Sequence, residues 1–276
     1  MTSEIPHNLR PGAFAGTAED YARYRPPFPR PMIEAILTAT NPTMATGRRL
    51  IDLACGTGRV ALALAPFFEE VSAIDIEPEM VAVARRRAEE IAASNVRWFV
   101  GKAEEWEASE GHYHLVTIGE AFHRLDRVQV AQRAYKWLAP GGYLVTLGGE
   151  SFLDGTAPWR IVVRDVVQAF VGEPARRLGA PNALLSQEIE DENSALRGAG
   201  FTNVRAETFE ATHQWELDDL LGNLRSTSVL SPSALGARHS AFEDALEAAL
   251  IAFDSSRCYV ETIRYGYTLA MKPVAS

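Results

Sequence analysis

The densest chemical signal in the chain is LIDLACGTGR, Leu50 to Arg59, where an apolar run feeds a turn containing Gly56 and Gly58 and an alanine-rich helical pattern follows at once. Glycines let a backbone turn sharply and approach a ligand with no Cβ in the way, and a helix start offers unpaired N–H groups with partial positive charge. Such a turn suits an anionic or polar ligand. Asp75 ends the next apolar run, VSAID, where an acid takes ribose hydroxyls. The G-x-G-x-x-A string, Gly56 to Ala61, is equally a nicotinamide dinucleotide turn, so spacing alone does not choose the cofactor. A glycine turn that only packs helix against sheet is the remaining alternative.

Asp52 lies inside the apolar run, and a buried carboxylate is costly unless something bonds it. The expected partner is the cofactor or the turn amides, in preference to Arg49 or Arg59. His123, in GEAFHRLDR, follows the predicted fourth strand, and sites of doubly wound folds lie at the carboxyl ends of strands. Histidine ordinarily titrates near pH ~6.5, which suits a base for an amine or hydroxyl acceptor. A histidine bonded to a backbone carbonyl is the alternative use. The six histidines and two cysteines show no ligand spacing, so no metal is expected.

The elements that must position these residues run from Arg48 to Val145. There, short apolar runs (RRLIDLA, VSAID, VRWFVG, HLVTIG, YLVTL) alternate with helical patterns (VALALAPFF, PEMVAVARRRAEEIAA, VQVAQRAYKWL). Strand and helix in alternation predict crossover units and a mostly parallel sheet with helices on both faces. Pro78 falls at a first-turn position, where its missing N–H costs nothing. Gly141 and Gly142 predict a stop before the fifth strand. Upstream, YARYRPPFP, Tyr21 to Pro29, predicts an extended or turning N-terminal arm, with a helix over Arg30 to Thr38.

Downstream, helices are expected over Pro158 to Phe170, Gln187 to Arg197, Leu217 to Arg225 and Ser233 to Phe253, with a loop over Pro174 to Pro181. Strands are expected over Asn203 to His213 and Cys258 to Met271, and Ser231 is expected to cap the helix after it. The division is one domain over 1–276. It comprises an arm and helix (14–45), a cofactor-binding core (48–150), a helical segment (151–200) and a helical lid between the last two strands (214–256).

The 276 residues carry 36 acidic and 27 Lys or Arg side chains, a formal net charge of −9. That balance argues against nucleic acid, which needs a clustered basic face. Arg85, Arg86 and Arg87 read as a solvated helix face. Met1 to Gly12 lacks a basic region followed by an apolar stretch, and Val60 to Phe68, the longest apolar run, is too short to span a bilayer. A cytoplasmic chain with reduced cysteines and no membrane anchor is expected.

Four blocks in order, DLACGTG, IDIEPEM, VGKAEEW and LAPGGYL, make the chain resemble the class I S-adenosylmethionine-dependent methyltransferases, particularly the small-molecule group that includes trans-aconitate methyltransferase. YARYRPPFP and AFHRLD match the habits of that group, as do LRGAGFTNV and WELDDLLGNLRSTS more loosely. The resemblance implies a Rossmann-like fold and S-adenosylmethionine as cofactor, with S-adenosylhomocysteine as product. It implies that Asp52, Ala54, Gly56 and Gly58 face the methionine end, that Asp75 holds the ribose, and that Ile76 and Met80 flank the adenine. Ala103 and Glu104 would meet the adenine edge, and Gly119 and Glu120 the methionine portion. Met80 also sits on an apolar helix face with Ala84 and Ala88, so core packing is its other reading.

The acceptor is expected to be a small molecule, an amine or hydroxyl of a natural product such as an amino sugar, with a trans-aconitate-type carboxylate or a non-catalytic binding role as alternatives. Its candidate ligands are Tyr21, Tyr24 (also placed against the cofactor), Arg25, Trp159, Trp215, Arg225, Ser226 and Ser228. The chain departs from the group at His123-Arg124, where relatives often show His-Trp, and at His114, where they often show Asp.

Overall fold

The computed structural model describes residues 12–40, 47–150, 155–172 and 182–274. The chain divides into two compact units, Met1–Pro26 with Glu150–Leu185 and Glu210–Arg264, and Pro27–Gly149 with Ser186–Phe209 and Tyr265–Ser276.

A seven-stranded sheet, ordered β3-β2-β1-β4-β5-β7-β6, lies mainly in the second unit. The strands are β1 (Arg49–Leu53), β2 (Glu70–Asp75), β3 (Val96–Val100), β4 (Tyr113–Gly119), β5 (Leu138–Gly149), β6 (Thr202–Glu216) and β7 (Cys258–Met271). β1 to β5 pair in parallel, and β7 runs antiparallel to β5, Leu144 opposite Ala270. This is the Rossmann-like arrangement of class I methyltransferases, as the sequence implied.

The order reverses between β1 and β4. Right-handed crossovers carry α3 (Arg59–Leu64) and α4 (Pro78–Glu90) outward from β1 in one direction, and α5 (Arg127–Trp137) from β4 to β5 in the other. Crossovers running in opposite directions cover opposite faces. The loops after β1 and β4 therefore part from each other, leaving a crevice at the carboxyl ends of the two strands, the place where such sheets bind ligands. Ile51, Leu53, Val116, Ile118 and Leu144 form one buried sheet face with Val130, Ala134 and Trp137 of α5. Their near-continuous apolar runs are what a sheet buried on both faces requires.

Local signals held at several ends. Glu77 is the N-cap residue before Pro78, and Asp126 caps α5 by accepting Gln129 N–H at 3.0 Å. Ser231 Oγ accepts Ala234 N–H at 3.2 Å. Other ends moved. Within Tyr21 to Pro29 the chain is helical through Tyr24 (α1, Ala18–Tyr24), because proline restrains only its own φ and the residue before it; Arg25, extended at φ −70° and ψ 124°, takes that restraint. The next helix, α2, runs Arg30–Thr40. Gly141 and Gly142 do not stop the chain before β5. Leu138 and Tyr143 both pair with β4 across a register shift, so the strand passes through the glycines as a bulge.

The first unit holds α1, α6 (Pro158–Val171), α8 (Leu217–Arg225), α9 (Pro232–Leu235) and α10 (His239–Phe253). The helix expected over Ser233 to Phe253 breaks near Gly236, which has φ +55°. α7 (Asn182–Gly198) starts earlier than expected, and the loop expected over Pro174 to Pro181 lies outside the described residues. Among the described residues no helix is long and apolar enough to cross a membrane.

Candidate active site

The crevice after β1 and β4 is walled by four short loops. Leu53 leads into Ala54, which is held at φ +52°, then Gly56 at +53° and Gly58 at +78°. Across the crevice Glu120, directly after β4, takes φ +55°. Left-handed backbone at an alanine and a glutamate costs of the order of 1–3 kcal/mol each, and such strain gathers at functional sites. Gly58 is required twice over: its φ disfavours any side chain, and a Cβ there would lie 2.6 Å from Trp98 Cη2. Gly119 is required by packing, since a Cβ would lie 2.9 Å from Val60 Cγ2.

Three carboxylates hold these loops by accepting backbone N–H groups. Asp75 Oδ2 accepts Gly56 N–H at 2.7 Å and Oδ1 accepts Glu77 N–H at 2.8 Å. Burial pushes the Asp75 carboxyl above its usual range, and the two amides draw it back. A carboxylate has about four acceptor positions, so two remain for hydroxyls. Glu104 Oε1 accepts Asp126 N–H at 3.1 Å, tying the loop after β3 to the start of α5.

Asp52 is the most enclosed of the three. Oδ1 accepts the Thr117 hydroxyl at 2.7 Å and Oδ2 accepts Ala61 N–H at 3.1 Å, an amide of the first turn of α3. Burial pushes its carboxyl up to about 7 against the pull of both bonds. The expected turn amide is thus found. Only 1% exposed, Asp52 faces the protein, where it anchors α3. Thr117 was not legible as its partner from spacing; only the parallel register, which sets Asp52 beside Thr117 across β1 and β4, brings them together.

Arg59 entered the sequence reading only as a poor alternative partner for Asp52. The structure joins its Nη1 to Glu120 Oε2 at 3.0 Å and lays the guanidinium 4.4 Å from the Phe28 ring centroid. Glu120 is therefore charge-paired at the mouth of the crevice. Ile76 is exposed beside Asp75, an apolar face open to a planar ligand, and Ala103 is buried behind Glu104. Met80 is 3% exposed, so the structure favours its core-packing reading.

His123 lies on a short turn, Phe122–Arg124, after β4, and is exposed. Desolvation by the protein around it, followed by the charges of Arg124 and Arg127, lowers its pKa to about 4. It is neutral at physiological pH and a weak base.

The remaining candidates belong to the first unit. Tyr21 packs edge-on to Phe14 at 6.0 Å, and Tyr24 lies against Gly222, where a Cβ would collide with its ring. Arg225 is bonded to Asp20 at 3.2 Å and Glu243 at 2.8 Å. Trp159 and Trp215 are internal: Trp159 Nε1 donates to Val260 O at 3.1 Å and Trp215 Nε1 to Glu261 Oε1 at 2.6 Å. Glu261 also takes the buried guanidinium of Arg160. Their indole N–H groups are used inside the protein, so these tryptophans frame the unit and are not ligands in this conformation. Among the described residues no group of His, Cys, Asp or Glu is arranged to hold a metal ion.

The strand order, with its reversal between β1 and β4, is that of the class I methyltransferase fold. Residues 50–142 match the family model described as methyltransferase domain. Demethylmenaquinone methyltransferase of Thermus thermophilus is 40% identical over 104 residues, 36% of this chain and 46% of that protein. Malonyl-[acyl-carrier protein] O-methyltransferase of a Paenibacillus species is 25% identical over 197 residues, 69% of this chain and 68% of that protein. The chain spans about half the length of the curated relatives it matches first. Among solved structures, YcgJ of Bacillus subtilis superposes with a TM-score of 0.55 at 14% identity, covering 88% of this chain and 99% of that one. Phosphoethanolamine N-methyltransferase 2 of Haemonchus contortus, solved with S-adenosylhomocysteine, gives 0.55 at 20% identity, covering 93% and 57%. At such identities these likenesses bear on the fold alone.

Proposed function

We propose that the chain transfers the methyl group of S-adenosylmethionine to a small molecule. The observation that carries this is the Asp75 carboxylate, held by Gly56 N–H at the strained turn, with two acceptor positions left beside the exposed Ile76. Asp75 would accept the ribose hydroxyls, Ile76 would cover one adenine face, and Glu104 would take the exocyclic amine on the oxygen not used by Asp126. Glu120 and the Gly119 backbone would line the methionine portion. Asp52, Ala54, Gly56 and Gly58 shape the turn, and Asp52 does so through α3 without touching the ligand.

The cofactor supplies an activated methyl group on a sulfonium. The protein's task is then to place the acceptor lone pair in line, about 3 Å from that carbon, and to exclude water. A histidine with pKa about 4 is a poor base for a hydroxyl or an ammonium group. Asp52 is shut away from any ligand. These two facts favour an acceptor that arrives with its nucleophile ready, a neutral amine or an ionised carboxylate, over an alkyl hydroxyl. His123 then orients the acceptor as a neutral imidazole.

The test is ligand-induced thermal stabilisation by S-adenosylhomocysteine, by S-adenosylmethionine and by NAD(P)H in turn. A ligand at 100 times its dissociation constant stabilises by about 2.7 kcal/mol. Stabilisation by the adenosyl ligands that disappears in Asp75→Ala supports the reading. Stabilisation by NAD(P)H alone overturns it.

A further inference from the structure

The run Arg85, Arg86 and Arg87 reads in the sequence as one solvated face, and the structure divides it. Arg85 and Arg86 are exposed, Arg85 Nη2 donating to Trp98 O at 2.9 Å and Arg86 pairing with Glu90 at 3.9 Å. Arg87, the next residue of α4, turns inward and is half-buried. Its Nη1 donates to Thr57 O at 2.7 Å and reaches Thr57 Oγ1 at 3.3 Å. Thr57 is the fully buried residue between Gly56 and Gly58. Burial, followed by the charge of Arg59, lowers the Arg87 pKa, with Glu90 opposing both. A cation thus gives up part of its solvation and spends its donor on the turn.

Each peptide of that turn has its own tether. Gly56 N–H is held by Asp75 Oδ2 at 2.7 Å and Gly58 N–H by Cys55 O at 2.9 Å. Thr57 C=O and Gly58 N–H belong to one planar peptide, so Arg87 and Cys55 fix that plane from opposite sides. A peptide next to a glycine has little steric resistance to rotation, and its hydrogen bonds are what keep it in one orientation. Packing brings α4 to the same place. A Cβ on Gly58 would lie 3.4 Å from Ala84 Cβ, and Ala84 shares a face of α4 with Arg87.

We infer that Arg87 is a positioning residue for the cofactor: by gripping Thr57 it holds the glycine turn in the form that receives the methionine portion. The inference rests on the methyl-transfer reading. Arg87 acts through the turn, and one nitrogen supplies both of its bonds, so a lysine ammonium in that place could replace it.

Calorimetric titration of S-adenosylhomocysteine and of adenosine into wild type, Arg87→Met, Arg87→Lys and Thr57→Val tests this. Adenosine carries the ribose and adenine that Asp75 and Ile76 would hold, without the methionine portion. Arg87→Met is expected to weaken S-adenosylhomocysteine about tenfold, the scale of one hydrogen bond from a charged group, and to leave adenosine within about twofold. Arg87→Lys should recover most of that affinity. Thr57→Val, which keeps the carbonyl bond, should lose no more than about threefold. Equal losses for both ligands, or a lower melting temperature with S-adenosylhomocysteine affinity unchanged, overturn the inference, because Arg87 would then only brace α4. Arg87→Gln takes the place of Arg87→Met if the latter does not fold. If wild type binds neither ligand, the methyl-transfer reading fails instead, and amide exchange decides the grip on the turn. Exchange of Gly58 N–H about tenfold faster in Arg87→Met, with the α4 amides unchanged, upholds that grip, and unchanged exchange removes it.

Discussion

The crevice unit and the helical unit hold their polar groups in opposite ways. Around the crevice, Asp52, Asp75 and Glu104 each accept at least one backbone N–H group of a nearby loop or helix start. In the helical unit, polar side chains bind one another across long stretches of sequence, as Arg160 does with Glu261, Arg225 with Asp20 and Arg25 with Ser226. Carboxylates on amides fix the shape of a loop, which suits a ligand whose form does not vary. Side-chain networks instead tie together segments that are far apart along the chain.

That contrast can be broken most forcefully at Arg160. Removing one member of a buried ion pair strands the other, and costs about 3–5 kcal/mol. Arg160→Met is expected to lower the unfolding free energy by that order in urea titration. Adding Glu261→Gln, which still accepts Trp215 N–H, should restore part of it. If Arg160→Met unfolds like wild type, the pair is not what frames this unit.

Gly58→Ala comes next. A Cβ at φ +78°, 2.6 Å from Trp98, must distort the turn or displace the ring. An expected cost of about 1–3 kcal/mol should appear as a lower melting temperature together with weaker S-adenosylhomocysteine binding. A variant that loses stability but keeps full affinity would mean that the turn shape does not serve the ligand.

Asp52→Asn tests whether a carboxylate aimed at amides needs its charge. Its folded pKa, about 7, stands above the ordinary carboxylate value. The unfolded chain therefore ionises first, and the contribution of this group to stability falls as pH rises from about 4 to about 7, by an order of a few kcal/mol, then stays flat. Asparagine can accept from Ala61 N–H and donate to Thr117. The variant should lose that slope, gain stability at pH 8, and bind S-adenosylhomocysteine within a few-fold of wild type. A large loss of affinity would put Asp52 at the ligand.

His123→Gln carries the smallest expected effect. With a folded pKa near 4, the imidazole is neutral throughout the physiological range, so kcat/KM should show no ionisation near pH 6.5 that disappears in the variant. The stability contributed by the neutral ring is present above the ordinary pKa of about 6.5 and is lost as pH falls towards 4. A pH–rate limb near 6.5 that vanishes in His123→Gln would restore the histidine as a base.

Much of the crevice was readable because its residues act over short distances along the chain. Gly56, Gly58 and Asp52 lie within one strand-turn-helix, and Asp75 ends the next strand. Period, glycine placement and helix polarity are local properties, so the alternation of elements, the parallel core and the cofactor turn follow from Leu50 to Val145. The ends that shifted, at Tyr24 and at Gly141 to Gly142, did so where local rules constrain a single residue and neighbouring packing decides how far an element runs.

Contacts across the sequence were not readable in this way. Nothing in the spacing of Asp52 and Thr117 reveals that two strands sit in register, and nothing near Trp159 or Trp215 shows that Val260 and Glu261 take their N–H groups. The sequence by itself determined the element types, the class of fold and the turn that holds a ligand, since these rest on backbone preference and hydrophobic period. Only the tertiary structure decided which polar side chains are already spent and on which partners. Satisfying a buried polar group takes a partner at hydrogen-bond distance, and the fold brings such partners in from as far as 205 positions away.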